Sequence, residues 1–580
     1  MKFMNTYEWM ISTLSPVHIG CAEDYTPTEY VVDNTVKLYC FYIGHLASLG
    51  DAAISKEVSS ALTAGTGEEQ LRKVHKVLNN YRDKIIPIAG TSAAMCSGVL
   101  NHYRSTQSRN HDFNRNGIER TSYQPLSQLP YLPGSSIKGA IRTALLDNAS
   151  VSKAPLGKQF IERINRFNNM IEEVNHGSEK FALRLKLQFS RKDYLAELKN
   201  IEKELAGYAD DLEKEHLGSF ESDPLRAIKI GDGIANDTGI EKEIRFCLNR
   251  SRSGRKTQAQ SKGLYTRLEY IVEHQPEAIK IAITIQDLSS VAGMKGKHNK
   301  LITPAPYCLK TWEQIIEACN AYYLPRLQKD LQLVLKLKPG STWVKQIREI
   351  FSAGLLQDIE NKRVLLLRVG KHGGADCNTV TGRKIKIKLS DDKRNLPTGK
   401  IEKIPLYCFD DEPRTTWFSG DDLDNPSDLL PHGWIVLSKN NLPWQSCMPG
   451  FQRREDRKAD MCRQAEEAAA RQAREQAKAE AAAAREQALV AMTPNQRQIE
   501  EFRDYCQKRA GELGKSQEAL NAVIHTKARQ LIKQALEEAA WTTEEKRALA
   551  DVVSEWLPKL VRQMDKDQLK KLKLAALRGN

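Results

Sequence analysis

Apolar residues alternate with polar ones from about residue 7 to 43, the period of strands half-buried on a sheet. Asp33-Asn34 punctuates that stretch as a hairpin turn between Glu29-Tyr-Val-Val32 and the strand that begins at Val36. The period lengthens to that of helices over roughly 44–86, and 101–124 is polar, rich in Asn, Ser and Arg, and reads as a loop. Gly134 then turns the chain into a helix whose buried stripe is Ile137, Ile141, Ala144 and Leu145, with Ser135 or Ser136 as cap.

Residues 151–216 carry heptad-like apolar spacing among many charges, so they read as helices inserted between two halves of a β-rich core. Strands resume at 225–230, 243–248, 264–272 and 278–285, helices at 311–359, and strands again at 364–369, 384–388 and 433–437. Residues 364–388 read as a closing strand, loop and strand. From 451 to 490 the chain is mostly Ala, Glu, Arg and Gln, with high helix propensity and almost no apolar face. About 40 such residues at roughly 1.5 Å each make a solvated spacer of about 60 Å. Thr493-Pro-Asn-Gln496 and Thr542-Thr-Glu-Glu545 are capping boxes that open the helices of a terminal bundle, which ends in the basic segment 566–578. The expected organisation is 1–150, an insertion at 151–218, 219–450, a spacer at 451–492 and a bundle at 493–580.

The 580 residues carry a formal charge of +14. That balance favours a polyanionic partner, and nucleic acid fits it better than a membrane. No apolar run of about 18 residues occurs and the first residues have no signal-peptide core, so a cytoplasmic protein is expected. Eleven cysteines without a Cys-x-x-Cys pair imply reduced thiols, with no metal and no cofactor expected.

Three clusters are candidates for holding a nucleic-acid backbone. The first is the helix start, where the free amides after Gly134, the hydroxyls of Ser135 and Ser136, and the cations Lys138 and Arg142 suit a phosphate. The second is the segment 249–263, whose Arg250, Arg252, Arg255, Lys256 and Lys262 stand without an acid and would order on a phosphate chain. The third is the loop after residue 367, where Gly370, Gly373 and Gly374 permit close backbone approach while Arg368, Lys371 and His372 supply donors. That loop lacks the Gly-Lys-Ser/Thr ending of a nucleotide-binding loop.

Pro130-Tyr-Leu-Pro-Gly-Ser-Ser-Ile-Lys-Gly-Ala-Ile-Arg142 resembles the signature of the RAMP proteins, the RNA-binding subunits of CRISPR effector complexes. Leu14-Ser-Pro-Val-His-Ile-Gly20 with Tyr25 to Asp33, Asp223-Pro-Leu-Arg-Ala-Ile-Lys-Ile-Gly-Asp232, and Leu367-Arg-Val-Gly-Lys-His-Gly-Gly-Ala375 are similar to further elements of that family, in the expected order. Together they resemble the Csm branch of type III-A systems over about residues 1–450.

The resemblance implies an α+β RAMP fold with one or two ferredoxin-like (RRM-like) units, a helical insertion and a C-terminal helical extension that has no counterpart in the family pattern. It implies a non-catalytic subunit that caps the crRNA 3′ end, meets the Csm backbone and small subunits, and contributes to crRNA maturation, by recruiting host nucleases, and to antiviral defence. Target RNA is then an indirect partner. His18 belongs to a shared structural element in the family and is also counted among the RNA contacts. The enzymatic alternative is a metal-dependent endoribonuclease using Asp33, whose Val-Val-Asp-Asn setting resembles the aspartate loop of cleaving RAMP subunits, or a cleavage with His18 as general base.

Overall fold

The opening alternation builds Met4–Thr13, a ten-residue strand near the middle of an antiparallel sheet. Trp9 and Ile11 point from it into the core, both at most 1% exposed. Its neighbours are Ile279–Gln286 on one side and Trp434–Ser438 on the other, and Val364–Arg368 completes that edge. Ile228–Ile230, Gly233–Ala235 and Tyr131–Leu132 extend the opposite edge.

The computed structural model describes residues 4–34, 36–63, 65, 67–108, 117–150, 156–176, 180–218, 223–236, 239–254, 265–286, 311–395, 400–439, 441–514 and 516–579. The chain divides into two compact units, Met1–Arg457 and Lys458–Asn580.

A second sheet in the first unit runs in the order Gly20–Tyr25, Ile118–Thr121, Thr266–Ile271, Lys242–Ser251, Thr91–Met95, Lys37–Cys40 and Tyr30–Val32. Thr415–Gly420 also pairs with Lys242–Ser251. Helices Gly134–Ser150 and Trp312–Leu337 share one core with residues of both sheets. The fold is therefore α+β, as the sequence implies.

Three expectations change. The stretch 101–124 is not one loop, because helix Ser97–Ser108 occupies its start and strand Ile118–Thr121 its end. That helix buries Val99, Leu100 and Tyr103 on one side and spends its polar majority on the other. The insertion is not all helix: Lys158–Asn168 and Arg191–Leu217 flank a hairpin of Ile171–His176 with Lys180–Leu185. Finally, Ile385–Asn395 does not close on Val364–Arg368 but pairs with Ile401–Asp410. That distant hairpin and the insertion share a satellite core of Phe160, Phe167, Tyr194, Ile404, Leu406 and Phe409.

Helix Pro449–Ala491 runs with its side chains almost all exposed after the first two turns. The capping boxes at Thr493 and Thr542 are both formed, opening helices Pro494–Leu513 and Thr543–Leu560 of the second unit.

Candidate nucleic-acid interface

Helix Gly134–Ser150 begins against the segment 223–232, and the two are tied at residues 134, 138 and 142. The Gly134 amide donates to Asp232 Oδ1 at 2.8 Å, Lys138 Nζ donates to the Ile228 carbonyl at 3.0 Å, and Arg142 meets Asp223 at 3.0 Å and Glu213 at 3.4 Å. A methyl group at Gly134 would lie 2.3 Å from the Ile230 carbonyl oxygen, so only glycine fits. Burial pulls the Lys138 ammonium below its usual range. Arg142 is thus held by carboxylates of the same fold and Lys138 by a backbone carbonyl, at the place where the sequence suggests a phosphate. The reason is electrostatic: half-buried cations need a fixed partner in a folded chain. Ser135 is exposed and Ser136 half-buried.

The glycine loop is tied to the first motif in the same manner. Gly370 sits at φ +84°, where an added methyl would come within 2.4 Å of the His18 carbonyl oxygen, and the Lys371 amide donates to that carbonyl at 2.9 Å. Gly433, also left-handed, donates its amide to the Pro16 carbonyl at 2.8 Å. His18 consequently lies beneath the loop, 1% exposed, with Nδ1 2.8 Å from the Glu269 carbonyl oxygen. Burial holds its pKa below the ordinary value, and the imidazole is an interior structural group rather than a side chain presented at the surface. Arg368 is likewise interior. Its guanidinium pairs with Asp330 at 2.9 Å and donates to the His432 carbonyl at 2.8 Å, the one basic side chain of the loop motif that faces inward.

What remains outward is Lys371, which is exposed and paired with Glu119; His372 is half-buried, with its ring 5.6 Å from that of the buried His432. His372 packs on Trp417 with ring centroids 4.8 Å apart and planes at 35°; both rings are half-buried. Burial and the neighbouring Lys371 push the His372 pKa down to about 4, so the ring is neutral at physiological pH. Gly373 has only ordinary contacts, and Gly374, at φ +85°, turns the loop toward Asp376.

Trp417 stands opposite Asn249 in the ladder between Thr415–Gly420 and Lys242–Ser251. Two residues further along, the basic hairpin begins. Arg252 bonds Asp376 at 2.8 Å, Glu412 at 3.0 Å and the Thr416 hydroxyl at 2.9 Å, joining the hairpin base to the end of the glycine loop. Helix Trp312–Leu337 adds Lys329, paired with Glu412 at 2.9 Å, and Lys336, which donates to the Arg252 carbonyl at 2.9 Å. Arg250 points aside and donates to the Leu423 carbonyl at 2.7 Å. Arg255, Lys256 and Lys262 lie outside the described residues.

The loop and the hairpin therefore converge on one surface, where an aromatic pair is flanked by cations that are themselves paired with Glu119, Asp376 and Glu412. Stacking plus phosphate neutralisation is what single-stranded RNA requires of a protein surface. The model of the RAMP superfamily matches residues 10–302. The chain belongs to the RAMP superfamily. No curated protein sequence matches it. Among solved structures, it is similar to a chain of a cryo-EM Csm–crRNA–target RNA ternary complex of a type III-A CRISPR-Cas system, with 17% identity and a TM-score of 0.41, covering 74% of this chain and 100% of that one. It is also similar to the crystal structure of Csm5 from T. onnurineus, with 15% identity and a TM-score of 0.36, covering 63% and 89%.

In this RAMP protein the start of the helix at 134–150 is bound to 223–232, while Asp147 near its end accepts the Thr381 amide from the segment that follows the glycine loop. Asp33 closes a hairpin: its amide donates to the Lys37 carbonyl at 3.0 Å and its Oδ1 accepts the Lys37 amide at 2.8 Å. Among the described residues no three His, Cys, Asp or Glu side chains converge as a metal-binding set, and no helix is long and apolar enough to cross a membrane. Trp417, Lys329 and Lys336 are the surface residues that sequence reasoning missed. The one signal for Trp417 is its place in Thr-Thr-Trp-Phe-Ser, an alternating run with the aromatic pair on opposite faces.

Proposed function

We propose that this RAMP chain binds the 3′ region of a crRNA as a non-catalytic subunit of a type III-A (Csm) effector complex and closes the complex at that end. In this reading it meets the Csm backbone and small subunits, and target RNA reaches it only through the guide. It sets the length of the mature crRNA by recruiting host nucleases, and so serves antiviral defence. The observation that carries the reading is the surface on which Trp417 and His372 stand beside Lys371 and Arg252; family membership over residues 10–302 supports it.

Binding of labelled crRNA by the full chain, compared with Trp417→Ala and Lys371→Ala, tests it. Loss of one stacked base costs about 1–3 kcal/mol, so Trp417→Ala weakens binding roughly 5- to 150-fold. Unchanged affinity in both variants overturns the assignment of this surface. Cleavage of crRNA or target by the purified wild type that Asp33→Ala abolishes overturns the non-catalytic part.

A further inference from the structure

The second unit carries a charged feature that the first unit's RNA surface does not explain. Between the end of helix Thr543–Leu560 and the last helix, Leu574–Arg578, the chain makes a turn and the short helix Lys566–Lys571. Arg562, Lys566, Lys570, Lys571 and Lys573 all fall in these thirteen residues and are all exposed, against only two carboxylates. One of those carboxylates, Asp565, is spent as the helix cap on the Gln568 amide at 2.9 Å, and the other, Asp567, lies 3.9 Å from Lys570. Arg562, Lys566, Lys571 and Lys573 have no ion-pair partner among the described residues, whereas the flanking Lys559 and Arg578 are paired with Glu555 and Asp551.

The cations are not on a floppy tail. Leu572, Leu574 and Leu577, which alternate with them, are buried in the bundle core together with Met564 and Val561. Lys573 itself is held in the left-handed region at φ 54°, as is Gln563 at φ 58°. A backbone fixed this way displays its charges in one arrangement, so little ordering entropy is lost when they meet a ligand. Four exposed cations without an ion-pair partner among the described residues fall within twelve positions of the chain, and like charges that close in sequence repel each other until a polyanion arrives.

We propose that this tip is a second RNA site, a phosphate-backbone contact on the terminal module that is separate from the Trp417 surface. RNA suits it better than an anionic membrane, because the apolar residues of the segment face the bundle core and leave nothing to insert among lipid tails. Recognition is by charge alone. The tip therefore binds RNA of any sequence, with a strong dependence on salt.

The test uses the full chain, a labelled single-stranded RNA and anisotropy at a series of salt concentrations. Replacing Arg562, Lys566, Lys571 and Lys573 by Ala removes four phosphate contacts. At about 0.7 per contact the slope of log K against log salt flattens by roughly 3, which is about a 50-fold smaller change over a fourfold rise in salt. The set Lys566→Arg, Lys571→Arg and Lys573→Arg keeps the charge and leaves the slope as in the wild type. An unchanged slope in the Ala set overturns the proposal, as does pelleting with phosphatidylserine vesicles that the Ala set loses while its RNA slope stays the same. Repeating the titration in a Trp417→Ala background separates this site from the proposed function: the tip's contribution persists there whether or not Trp417 touches RNA.

Discussion

Gly134 donates its amide to Asp232 at 2.8 Å, and the two residues close the junction between a helix start and a strand turn ninety-eight positions further along the chain. The junction has no room for a side chain at Gly134, since carbonyl oxygens of Ile230 and Gly231 stand 2.3 and 2.6 Å from where a methyl would be. The fold uses this helix start as a brace between two segments far apart in the chain.

Gly134→Ala therefore forces backbone apart from backbone and destabilises the first unit by about 1–3 kcal/mol. Asp232→Ala leaves the amide without its acceptor and costs about 1 kcal/mol. Chemical denaturation followed by tryptophan fluorescence measures both; equal stability in the two variants and the wild type removes the brace.

Gly370 repeats the logic beneath the other motif pair. Gly370→Ala meets the His18 carbonyl at 2.4 Å in a left-handed conformation that alanine resists, so it lifts the loop from the first strand's exit. The expected result is a loss of about 1–3 kcal/mol in stability together with weaker RNA binding, because Lys371 and His372 ride on the same loop. RNA affinity that survives a measured loss of stability would show that loop position does not matter for binding.

Arg368 and Asp330 form an interior ion pair, with side chains 2% and 3% exposed, and Trp434 donates its indole N–H to the same carboxylate at 3.0 Å. Asp330→Ala leaves a buried guanidinium uncompensated and costs about 3–5 kcal/mol. The double variant Asp330→Leu with Arg368→Met recovers most of that loss, since it removes both charges at similar volume. A double variant no more stable than Asp330→Ala would contradict the ion-pair account.

His75 and His274, each 2% exposed, have pKa values pushed down to about 4 by burial. Their unfolded pKa is near 6.5, so between pH 6.5 and 4 the unfolded chain binds protons that the folded one refuses. Stability is full above pH 6.5 and falls as pH drops through that window, by on the order of 2 kcal/mol for each histidine at pH 5. Denaturation midpoints at pH 7.5 and 5.0 check it, and His75→Gln should reduce the difference. A midpoint that rises on acidification contradicts the sign.

How legible was this in the chain itself? Thr493, Thr542 and the Asp33 turn could be read because each partner lies within four residues. The Pro-Gly-Ser-Ser segment announced a turn into a helix, and that is present. Its cations' partners, Asp223 and Ile228, lie about eighty to ninety residues away, so spacing alone left a phosphate as the natural occupant. Arg368 shows the same limit, because a cation in a glycine-rich loop looks like a donor until the fold supplies Asp330 behind it. Trp417 was invisible for a different reason: alternation tells that two faces exist, and only the pairing with Asn249 tells which one meets the hairpin and the loop.

In the second unit Glu545 serves two helix starts at once. It accepts the Thr542 amide at 2.9 Å and returns its own amide to the Thr542 hydroxyl at 3.2 Å, while the Thr493 hydroxyl and the Asn495 amide group also donate to its carboxylate. Those hydrogen bonds, the one from Thr493 first, hold the Glu545 carboxyl below the usual range. Glu545→Ala thus uncaps helix Thr543–Leu560 and loosens the start of Pro494–Leu513 together, a cost of about 1–3 kcal/mol, larger than one cap alone. Thr542→Ala removes a single cap and costs about 1 kcal/mol. Because the chain has two units, one melting temperature mixes them, and amide hydrogen exchange at residues 495–498 and 543–547 is the cleaner readout. Faster exchange at both helix starts in Glu545→Ala, and at only the second in Thr542→Ala, is the expected pattern; exchange confined to 543–547 in both variants would show that the link from Thr493 carries no energy.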